Sequence, residues 1–405
     1  MNILIVAEVS IAQVIGGAER VLREQALGLA ARGHAVRILT RMPTEDREGR
    51  VVIVGIEETR YPVDRRTALS FVLSSARNAR RACAVLARKI RPDVLLVHQA
   101  LPGLAAAGCL PDVPVVYTCL SLAHEEFETR NHHPSGLGGG MWYRCQSWAR
   151  QKIEQSILHR ARQVIVLSEF IRRRIGEYHR VSSEHIRLIP AGVDTRVFSP
   201  RPDDRSSRLA RGLIGETFVL LTVRNLVPRM GLGTLIRAMV RVRQAIPHVQ
   251  LLIGGSGPLR AELETQVKTL HLEGCVRFLG FVPEDALPDY YRAANLFVLP
   301  TARLEGFGLV TIEALASGTP VFGTRIGATE EILGALDPAL LSSGTDAESL
   351  AAGIVALYRR FTDDPSARAK LAEAGRALVL REYAWTRHCE RLEAVLSDVL
   401  DKKGG

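Results

Sequence analysis

Short apolar runs alternate with longer helical patterns along almost the whole chain, and this alternation constrains the fold more than any other feature. In the first half, runs typical of β-strands lie at Asn2–Ala7, Ala35–Thr40, Val51–Gly55, Val94–His98, Pro114–Thr118, Gln163–Ser168 and Ile186–Pro190. The predicted helices between them include Ala18–Arg32, Arg66–Ile90 and Gln146–Arg162. Uninterrupted apolar strands separated by helices indicate a parallel sheet that is covered on both faces.

The alternation stops at Gly192–Pro202, a segment rich in turn residues, and then begins again. The second series of predicted strands is Phe218–Val223, Val249–Gly254, Val276–Gly280, Leu296–Pro300 and Pro320–Gly323. The helices predicted between them are Gly231–Ile246, Pro258–Leu270 and Leu309–Ser317. We therefore predict an α/β fold with two doubly wound, Rossmann-like domains, residues 1–195 and 196–380, that face a central cleft.

The composition agrees with two such domains and excludes several other classes of protein. The chain has 405 residues, of which 47% are hydrophobic and 24% charged, so wholesale disorder is excluded. The first apolar run is closed by Glu8, which is too early for a signal peptide. The longest uncharged stretch, Val94–Pro111, is a poor membrane span because two prolines and two glycines interrupt it. Six cysteines without a CxxC pair favour reduced thiols over a disulfide framework or a zinc site. These features predict a cytoplasmic protein.

The positive charge is concentrated in the first half. The net charge is +10, and the chain up to Thr195 carries 27 basic and 19 acidic residues. Because 47 of the 53 basic residues are Arg, two explanations stay open: a codon preference for Arg, or a basic surface for an acidic partner such as an anionic membrane. A peripheral position on the inner face of the membrane is therefore a second expectation. No nucleic-acid-binding motif accompanies the charge, so nucleic acid is not an expected partner.

Two glycine-rich turns each follow a predicted strand and open a predicted helix. Gly16 and Gly17 follow the first strand, but the turn lacks the GxGxxG spacing of dinucleotide-binding proteins, so a phosphate-binding turn and an ordinary tight turn are both open. Gly255 lies in the run Gly254–Pro258, which suits a pocket for a nucleotide base or ribose, with an ordinary turn again as the alternative.

The segment Pro300–Ala314 carries the strongest functional signal. Glu305 lies in a loop after a strand, and a Gly-Phe-Gly turn opens a helix whose second turn carries Glu313. The main-chain amides at this helix start are a predicted diphosphate site. We expect Glu305 to accept hydrogen bonds from sugar hydroxyls and Glu313 to reach a ribose, whereas two solvated surface carboxylates are the alternative. Arg224, at the end of Phe218–Val223, is predicted to bind the diphosphate and stabilise its departure.

These pieces together resemble glycosyltransferase family 4, whose members have the GT-B fold, over nearly the whole chain. The matching segments are Gly16–Glu19, Val166–Phe170, Leu188–Asp194 with Phe198, the Glu-x7-Glu run from Glu305 to Glu313, and Gly318–Val321 with Gly327 and Glu331. The resemblance implies a retaining transfer, without metal or cofactor, from a UDP- or GDP-sugar to a hydroxyl of a glycan, glycolipid or other acceptor. It points to cell-envelope polysaccharide or glycolipid synthesis, and it implies that the last segment, residues 381–405, forms a helix that packs back on the first domain.

The resemblance also assigns roles by position. Glu305 and Arg224 would be the catalytic pair, with Glu305 on the donor sugar and Arg224 on the phosphates. The remaining implied donor-binding residues are Gly16, Gly17, Arg229, Gly255, Phe307, Gly308, Leu309, Val310 and Glu313.

Three positions depart from the family pattern. Met230 stands where a phosphate-binding Lys is common, and Arg229, one residue earlier, is a possible substitute. Leu120 replaces an active-site His, for which His124 is either the replacement or a satisfied surface histidine. Ala191 replaces an Asn, which we expect to affect only a turn.

The segment Asn131–Gly140 lies where this family receives its acceptor, so His132 and His133 are candidate acceptor-side residues together with His124. It leads into Met141–Arg144 and Trp148, for which three interpretations stay open. They are a helix with its aromatic side in the core, an acceptor lid, and a basic-aromatic helix on a membrane interface.

Two other functions compete with a glycosyltransferase. Leu120 and Met230 favour a non-catalytic subunit that binds nucleotide sugar and supports a partner enzyme. The intact pair Glu305 and Glu313 argues against this alternative. A sugar-nucleotide epimerase has a similar two-domain shape, but the Glu-x7-Glu run disfavours it. The choice of UDP or GDP, the sugar and the acceptor are not determined by these residues.

Overall fold

A computed structural model describes residues 1–44, 49–130, 137–201 and 217–401. Its strands are β1 Asn2–Val6, β2 Ala35–Arg41, β3 Arg50–Ile53, β4 Ile56–Tyr61, β5 Val94–Val97, β6 Val115–Cys119, β7 Gln163–Val166, β8 Ile186–Leu188, β9 Phe218–Val223, β10 Val249–Gly254, β11 Val276–Gly280, β12 Leu296–Leu299 and β13 Val321–Gly323. Its helices are α1 Gly17–Ala31, α2 Ala68–Ile90, α3 Ala100–Cys109, α4 Ala123–Arg130, α5 Leu137–Arg160, α6 Glu169–His179, α7 Leu232–Ala245, α8 Arg260–Thr269, α9 Leu287–Ala293, α10 Leu309–Ala316, α11 Thr329–Gly334, α12 Ala347–Asp363, α13 Pro365–Glu382 and α14 Trp385–Asp401.

The chain divides into two compact units. The first contains the described residues up to Ala191 except a short stretch near residue 130, together with helix α14, and the second contains Gly192–Ala384. The predicted boundary after residue 195 thus lies four residues beyond the observed one after Ala191. The third predicted segment was expected to start at residue 381, whereas the chain returns to the first unit at Trp385.

The first unit is built on an eight-stranded sheet of order β3-β4-β2-β1-β5-β6-β7-β8. All neighbouring strands are parallel except β3, which pairs antiparallel with β4. The central strand β1 is buried on both faces, since Ile3 and Ile5 pack in one apolar cluster and Leu4 and Val6 in the other. Such two-sided burial explains why the central strands read as uninterrupted apolar runs.

The edge of this sheet differs from the prediction. The expected strand Val51–Gly55 is a hairpin in which β3 turns through Gly55, whose φ is +81°, into the unpredicted strand β4. Strand β4 carries Glu58 and Arg60, which are buried and form an ion pair of 2.6 Å. A strand with buried paired charges lacks the apolar pattern, so its sequence gave no strand signal.

Helices α1 and α14 cover one face of the sheet together. A Cβ on Gly28 of α1 would overlap the Cys389 sulfur of α14, so the two helices approach closely at this point. Leu392 and Leu396 of α14 join the apolar cluster that contains Ile3 and Ile5. The final helix therefore forms part of the core of the first unit.

Helix α5 begins nine residues before the predicted start at Gln146. Of the three interpretations left open for this segment, packing of the aromatic side into the core is wrong, because Met141, Trp142 and Trp148 are 68%, 60% and 60% exposed. Among the residues described, no helix has the length and apolar character needed to cross a membrane.

The second unit is built on a five-stranded parallel sheet of order β11-β10-β9-β12-β13. The chain order reverses between β9 and β12, because β10 and β11 lie on one side of β9 whereas β12 and β13 lie on the other. In open parallel sheets, such a switch point leaves a crevice at the carboxyl ends of the two strands. The candidate site lies at these strand ends.

Candidate active site

The segments that follow β9 and β10 run side by side beyond the sheet. The amide of Arg224 donates to the carbonyl of Gly254 at 2.9 Å, and the amide of Leu226 donates to the carbonyl of Ser256 at 2.8 Å. Gly255 has a φ of +123°, and a Cβ there would overlap the carbonyl of Arg224. The close approach therefore requires glycine at this position.

Arg224 and Glu305 form a buried ion pair. The Arg224 Nη2 donates to Glu305 Oε2 at 2.5 Å, and the two side chains are 5% and 8% exposed. The Thr301 hydroxyl donates to the same carboxylate oxygen at 2.9 Å. The thioether sulfur of Met230 accepts from Arg224 Nε at 3.2 Å and from Nη2 at 2.7 Å. Within the described residues, neither Arg224 Nη1 nor Glu305 Oε1 has a hydrogen-bond partner, so each can meet a ligand.

The loop that carries Glu305 is held in a strained conformation. Leu304, directly before it, has a φ of +55°, which for a side chain of this size carries a penalty on the order of 1–2 kcal/mol. The Glu305 carbonyl accepts from the amide of Ala328 at 3.0 Å, and a Cβ on Gly327 would overlap the Glu305 main chain. These main-chain contacts hold the loop in place, and Arg224 and Thr301 hold the carboxylate.

Arg229 is also attached to this loop. Its Nη1 donates to the carbonyl of Leu304 at 2.7 Å, and its own carbonyl accepts from the amide of Ala302 at 2.9 Å. Arg229 also lines a cavity of about 190 Å³ together with Asn225, Val227, Ser256 and Gly257. A cation beside a small polar cavity at the strand ends is suited to an anionic ligand.

Helix α10 starts at the turn predicted to hold a diphosphate. Gly308 caps the helix with a φ of +83° and offers no side-chain acceptor to the first amides. A Cβ on Gly308 would lie 3.6 Å from the Glu305 carboxyl carbon, so the carboxylate and the helix start are neighbours. Leu309 and Val310 are half-buried, whereas the ring of Phe307 is buried and packs against Tyr383 at 5.8 Å between centroids. A contribution of Phe307 to ligand binding would therefore come from its main chain.

Glu313 lies in the second turn of the same helix and is 6% exposed. Its Oε2 accepts from the hydroxyl of Tyr291 at 2.9 Å. The Tyr291 ring is fully buried and packs edge-on against Phe297 and Phe198 at 5.4 and 6.0 Å between centroids. Since both glutamates are buried and paired, the alternative of two solvated surface carboxylates is wrong.

Of the remaining predicted residues, Gly16, Gly17 and His124 lie in the first unit. Gly16 caps helix α1 with an extended φ of −152°, a conformation open to any residue, and Gly17 is the first residue of the helix. His124 was expected either to replace an active-site His or to lie satisfied on the surface. The surface alternative is wrong, since His124 is 5% exposed and neither of its ring nitrogens has a hydrogen-bond partner in the described part of the chain. His132 and His133 lie outside the described residues.

Two residues that position the glutamates were not predicted. Thr301 follows β12 directly and could have been found as a polar residue at the carboxyl end of a strand. Tyr291 lies in helix α9, 22 residues before Glu313, and nothing in the local sequence indicates that the two are paired.

Comparisons with known proteins agree with this architecture. Residues 15–197 match the family described as Glycosyltransferase Family 4, and residues 204–378 match the family described as Glycosyl transferases group 1. A GDP-mannose-dependent alpha-(1-6)-phosphatidylinositol monomannoside mannosyltransferase from Mycolicibacterium smegmatis is 30% identical over 262 residues, which are 62% of this chain and 67% of the relative. A D-inositol 3-phosphate glycosyltransferase from Corynebacterium kroppenstedtii is 26% identical over 96% of this chain and 86% of its own.

A solved structure shows the same fold. Sucrose-phosphate synthase from Thermosynechococcus elongatus superposes with a TM-score of 0.83 at 24% identity, over 99% of this chain and 100% of the other. The chain therefore belongs to glycosyltransferase family 4, and it is a glycosyltransferase with the GT-B fold. The resemblance seen in the sequence is confirmed, both for the family and for the fold.

Proposed function

We propose that the protein transfers a sugar, with retention of anomeric configuration, from a nucleotide-diphosphate sugar to a hydroxyl of a cell-envelope glycolipid or glycan. The observation that carries the proposal is the buried Arg224–Glu305 pair, which lies next to the start of helix α10. It brings a cation, a carboxylate and a row of main-chain amides together at the carboxyl ends of β9 and β12. These are the groups that a departing diphosphate and a donor sugar need.

Each group has one part of the reaction. The departing diphosphate gains negative charge, and Arg224 Nη1 and the amides around Gly308–Val310 are the donors that stabilise it. Glu305 Oε1 accepts from hydroxyls of the donor sugar and keeps a negative charge near the anomeric carbon, where positive character develops. Its other oxygen holds Arg224 in place before substrate binds, so the guanidinium needs little reorganisation.

The nucleotide end is assigned to the neighbouring residues. Glu313, fixed by Tyr291, accepts from the ribose hydroxyls, and the cavity beside Arg229 and Gly257 takes part of the nucleotide. Gly255 lets the segment after β10 lie directly against the Arg224 main chain beside this cavity. The names of the relatives favour a GDP-mannose donor over a UDP-sugar and favour an inositol-containing acceptor.

A lipid-linked acceptor agrees with the exposed stripe on helix α5. Met141 and Trp148 are seven residues apart and Lys152 is four further, so the three share one face of the helix. Trp142 and Arg144 flank this face, and all five side chains are exposed. Exposed tryptophans beside basic residues are typical of a helix that rests on an anionic membrane interface.

The decisive experiment begins with thermal unfolding in the presence of GDP-mannose, UDP-glucose and the free nucleoside diphosphates. The preferred donor is then supplied with phosphatidylinositol mannoside in vesicles, and the anomeric configuration of the product is read by NMR. We expect GDP-mannose to raise Tm most and the product to be the α-anomer. If no nucleotide sugar raises Tm and none is transferred or hydrolysed, the proposal is wrong.

A further inference from the structure

Three buried side chains in the first unit converge from three different helices. His124 lies in the first turn of α4, Glu154 lies in α5, and His179 is the last residue of α6. Their side chains are 6%, 0% and 0% exposed, and one ligand atom from each lies within 4.8 Å of the other two. None of the three was assigned to the donor site above, and all three belong to the same unit.

The imidazole nitrogens of this cluster lack hydrogen-bond partners. Both nitrogens of His124 and both of His179 are buried and unpartnered in the described part of the chain. His179 Nε2 lies 3.4 Å and His124 Nδ1 lies 3.8 Å from Glu154 Oε2, and neither contact has the geometry of a hydrogen bond. Buried polar atoms without a partner are uncommon, because each loses the water that it had in the unfolded chain.

The same separations suit a metal ion. A tetrahedral ion with ligands at about 2.1 Å holds neighbouring ligand atoms about 3.4 Å apart. The His179–Glu154 separation equals this edge and the His124–Glu154 separation is slightly longer. The nitrogens of the two imidazoles lie within 4.8 Å of each other, so binding of an ion would draw the two rings together. An ion among the three side chains would satisfy nitrogens that have no other partner.

Glu154 is already oriented as a ligand would be. Both of its carboxylate oxygens accept from the amide of Ala123 at 3.2 Å, and the Tyr117 hydroxyl donates to Oε1 at 3.4 Å. Hydrogen bonds of this kind to a ligating carboxylate fix its direction and tune the affinity for the ion.

We propose that His124, Glu154 and His179 bind one divalent transition-metal ion, for which Zn²⁺ is the best match. Two imidazoles and one carboxylate are a ligand set of zinc sites, whereas Mg²⁺ and Ca²⁺ prefer oxygen ligands alone. The ion cross-links α4, α5 and α6 and so stabilises the part of the first unit that follows β6. This role is structural, so it replaces the acceptor-side role expected for His124 from the sequence.

The test uses the full-length protein without a histidine tag, dialysed against a chelator and then titrated with Zn²⁺. Calorimetry is expected to show one saturable site per chain, and Tm is expected to rise with Zn²⁺. His124→Asn and His179→Asn should each weaken Zn²⁺ binding more than tenfold. His159→Asn, which changes an exposed histidine of α5, is the matched control and should bind as the wild type does.

The visible absorption of bound Co²⁺ reports the metal site directly, so it distinguishes loss of the site from loss of stability. One equivalent of Co²⁺ added to the wild type should give visible d–d absorption that Zn²⁺ abolishes, and Tyr117→Phe should leave the spectrum in place while weakening affinity about tenfold or more. The proposal is overturned if the chelated wild type takes up no stoichiometric Zn²⁺. It is equally overturned if folded His124→Asn or His179→Asn protein keeps wild-type affinity.

Discussion

Arg224 and Glu305 are 81 positions apart in the chain, yet the guanidinium of one donates to the carboxylate of the other at 2.5 Å. Each charge compensates the other in a place that water hardly reaches. Removal of either partner therefore leaves a buried charge unpaired, which affects stability as well as catalysis. The two effects must be separated in any test of the site.

Arg224→Ala is expected to lower kcat/KM about 30- to 1,000-fold, because a donor to the departing diphosphate is lost. This factor corresponds to a loss of about 2–4 kcal/mol of transition-state stabilisation. Steady-state kinetics with the preferred donor measure this, and circular dichroism checks the fold. Arg241→Ala removes an exposed arginine of the same unit that pairs with Glu348, and it should leave kcat/KM unchanged. Wild-type kinetics in folded Arg224→Ala would contradict the assignment.

Glu305→Gln and Glu313→Gln are expected to separate turnover from nucleotide binding. Glu305→Gln removes the charge near the anomeric carbon and also frees Arg224 for phosphate, so turnover should fall while affinity for the nucleoside diphosphate holds or rises. Glu313→Gln should weaken the binding of both donor and nucleoside diphosphate, since both carry the ribose.

Calorimetry with both ligands, beside turnover, distinguishes the two outcomes. Glu348→Gln, an exposed carboxylate of the same unit, is the matched control. The site is misassigned if Glu305→Gln keeps full turnover while Glu313→Gln keeps full nucleotide affinity.

Met230→Lys is expected to strengthen nucleoside diphosphate binding and to destabilise the ligand-free protein. The new ammonium would replace a sulfur that lies 2.7 Å from Arg224 Nη2, so two cations would repel each other until a diphosphate arrives. Met230→Leu removes the sulfur without adding charge and serves as the control. Thermal unfolding with and without the nucleotide measures both effects. If the nucleotide raises the Tm of the Lys and Leu variants equally, no phosphate binds beside residue 230.

Acid is expected to destabilise the protein through a buried histidine pair in the first unit. His98 Nε2 and Gln25 Oε1 are 2.9 Å apart, Gln25 Nε2 lies 2.9 Å from His388 Nε2, and His388 Nδ1 lies 2.7 Å from the Pro190 carbonyl. Burial lowers the pKa of His98 to about 3 and that of His388 to about 4. Both rings are therefore neutral in the folded protein at pH 7, and this chain of hydrogen bonds suits neutral rings.

The unfolded chain binds these protons near pH 6.5, whereas the folded protein binds them only near pH 3–4. The contribution to the free energy of unfolding is thus complete above pH 6.5 and is lost as the pH falls from about 6.5 towards 4, by up to about 1.4 kcal/mol per pH unit for each histidine. Urea unfolding with chelator between pH 7.5 and 5 measures the slope. The double variant His98→Gln, His388→Gln should flatten it, and an unchanged slope would show that these rings are not responsible.

The protein is expected to bind anionic vesicles more strongly than neutral ones, with binding weakened by salt. The double variant Trp142→Ser, Trp148→Ser should bind anionic vesicles less, since it removes two exposed aromatic side chains from helix α5. Leu380→Ser, which alters a half-exposed apolar residue of the second unit, is the control. If equal amounts of the protein sediment with anionic and neutral vesicles, the proposed binding to an anionic membrane is wrong.

The strands that the sequence predicts well are those buried on both faces. The runs that became β1, β5, β9 and β10 are continuous and apolar, so their pattern is unambiguous. Strand β4 escaped prediction because two of its four buried positions are occupied by the paired Glu58 and Arg60. In a sequence, a buried charged residue that is paired with a neighbour two positions away cannot be distinguished from a charged residue on the surface.

The candidate site is predictable in its parts but not in its pairings. Arg224, Glu305 and Gly308 each follow a strand or open a helix, and that position is visible locally. The contact of Arg224 with Glu305, the contact of Tyr291 with Glu313 and the meeting of His124, Glu154 and His179 arise from tertiary packing between distant elements. A single sequence carries no local signal for such contacts.

Helix α14 has a consequence for how the protein is made. Leu392 and Leu396 complete an apolar cluster around strand β1, although almost 400 residues separate them from it. While the ribosome is still synthesising the second unit, the first unit has been translated but lacks α14, so α1 covers only part of this apolar face. Folding of the first unit can thus finish only after translation of helix α14, and until then the nascent chain exposes apolar surface that is prone to aggregation.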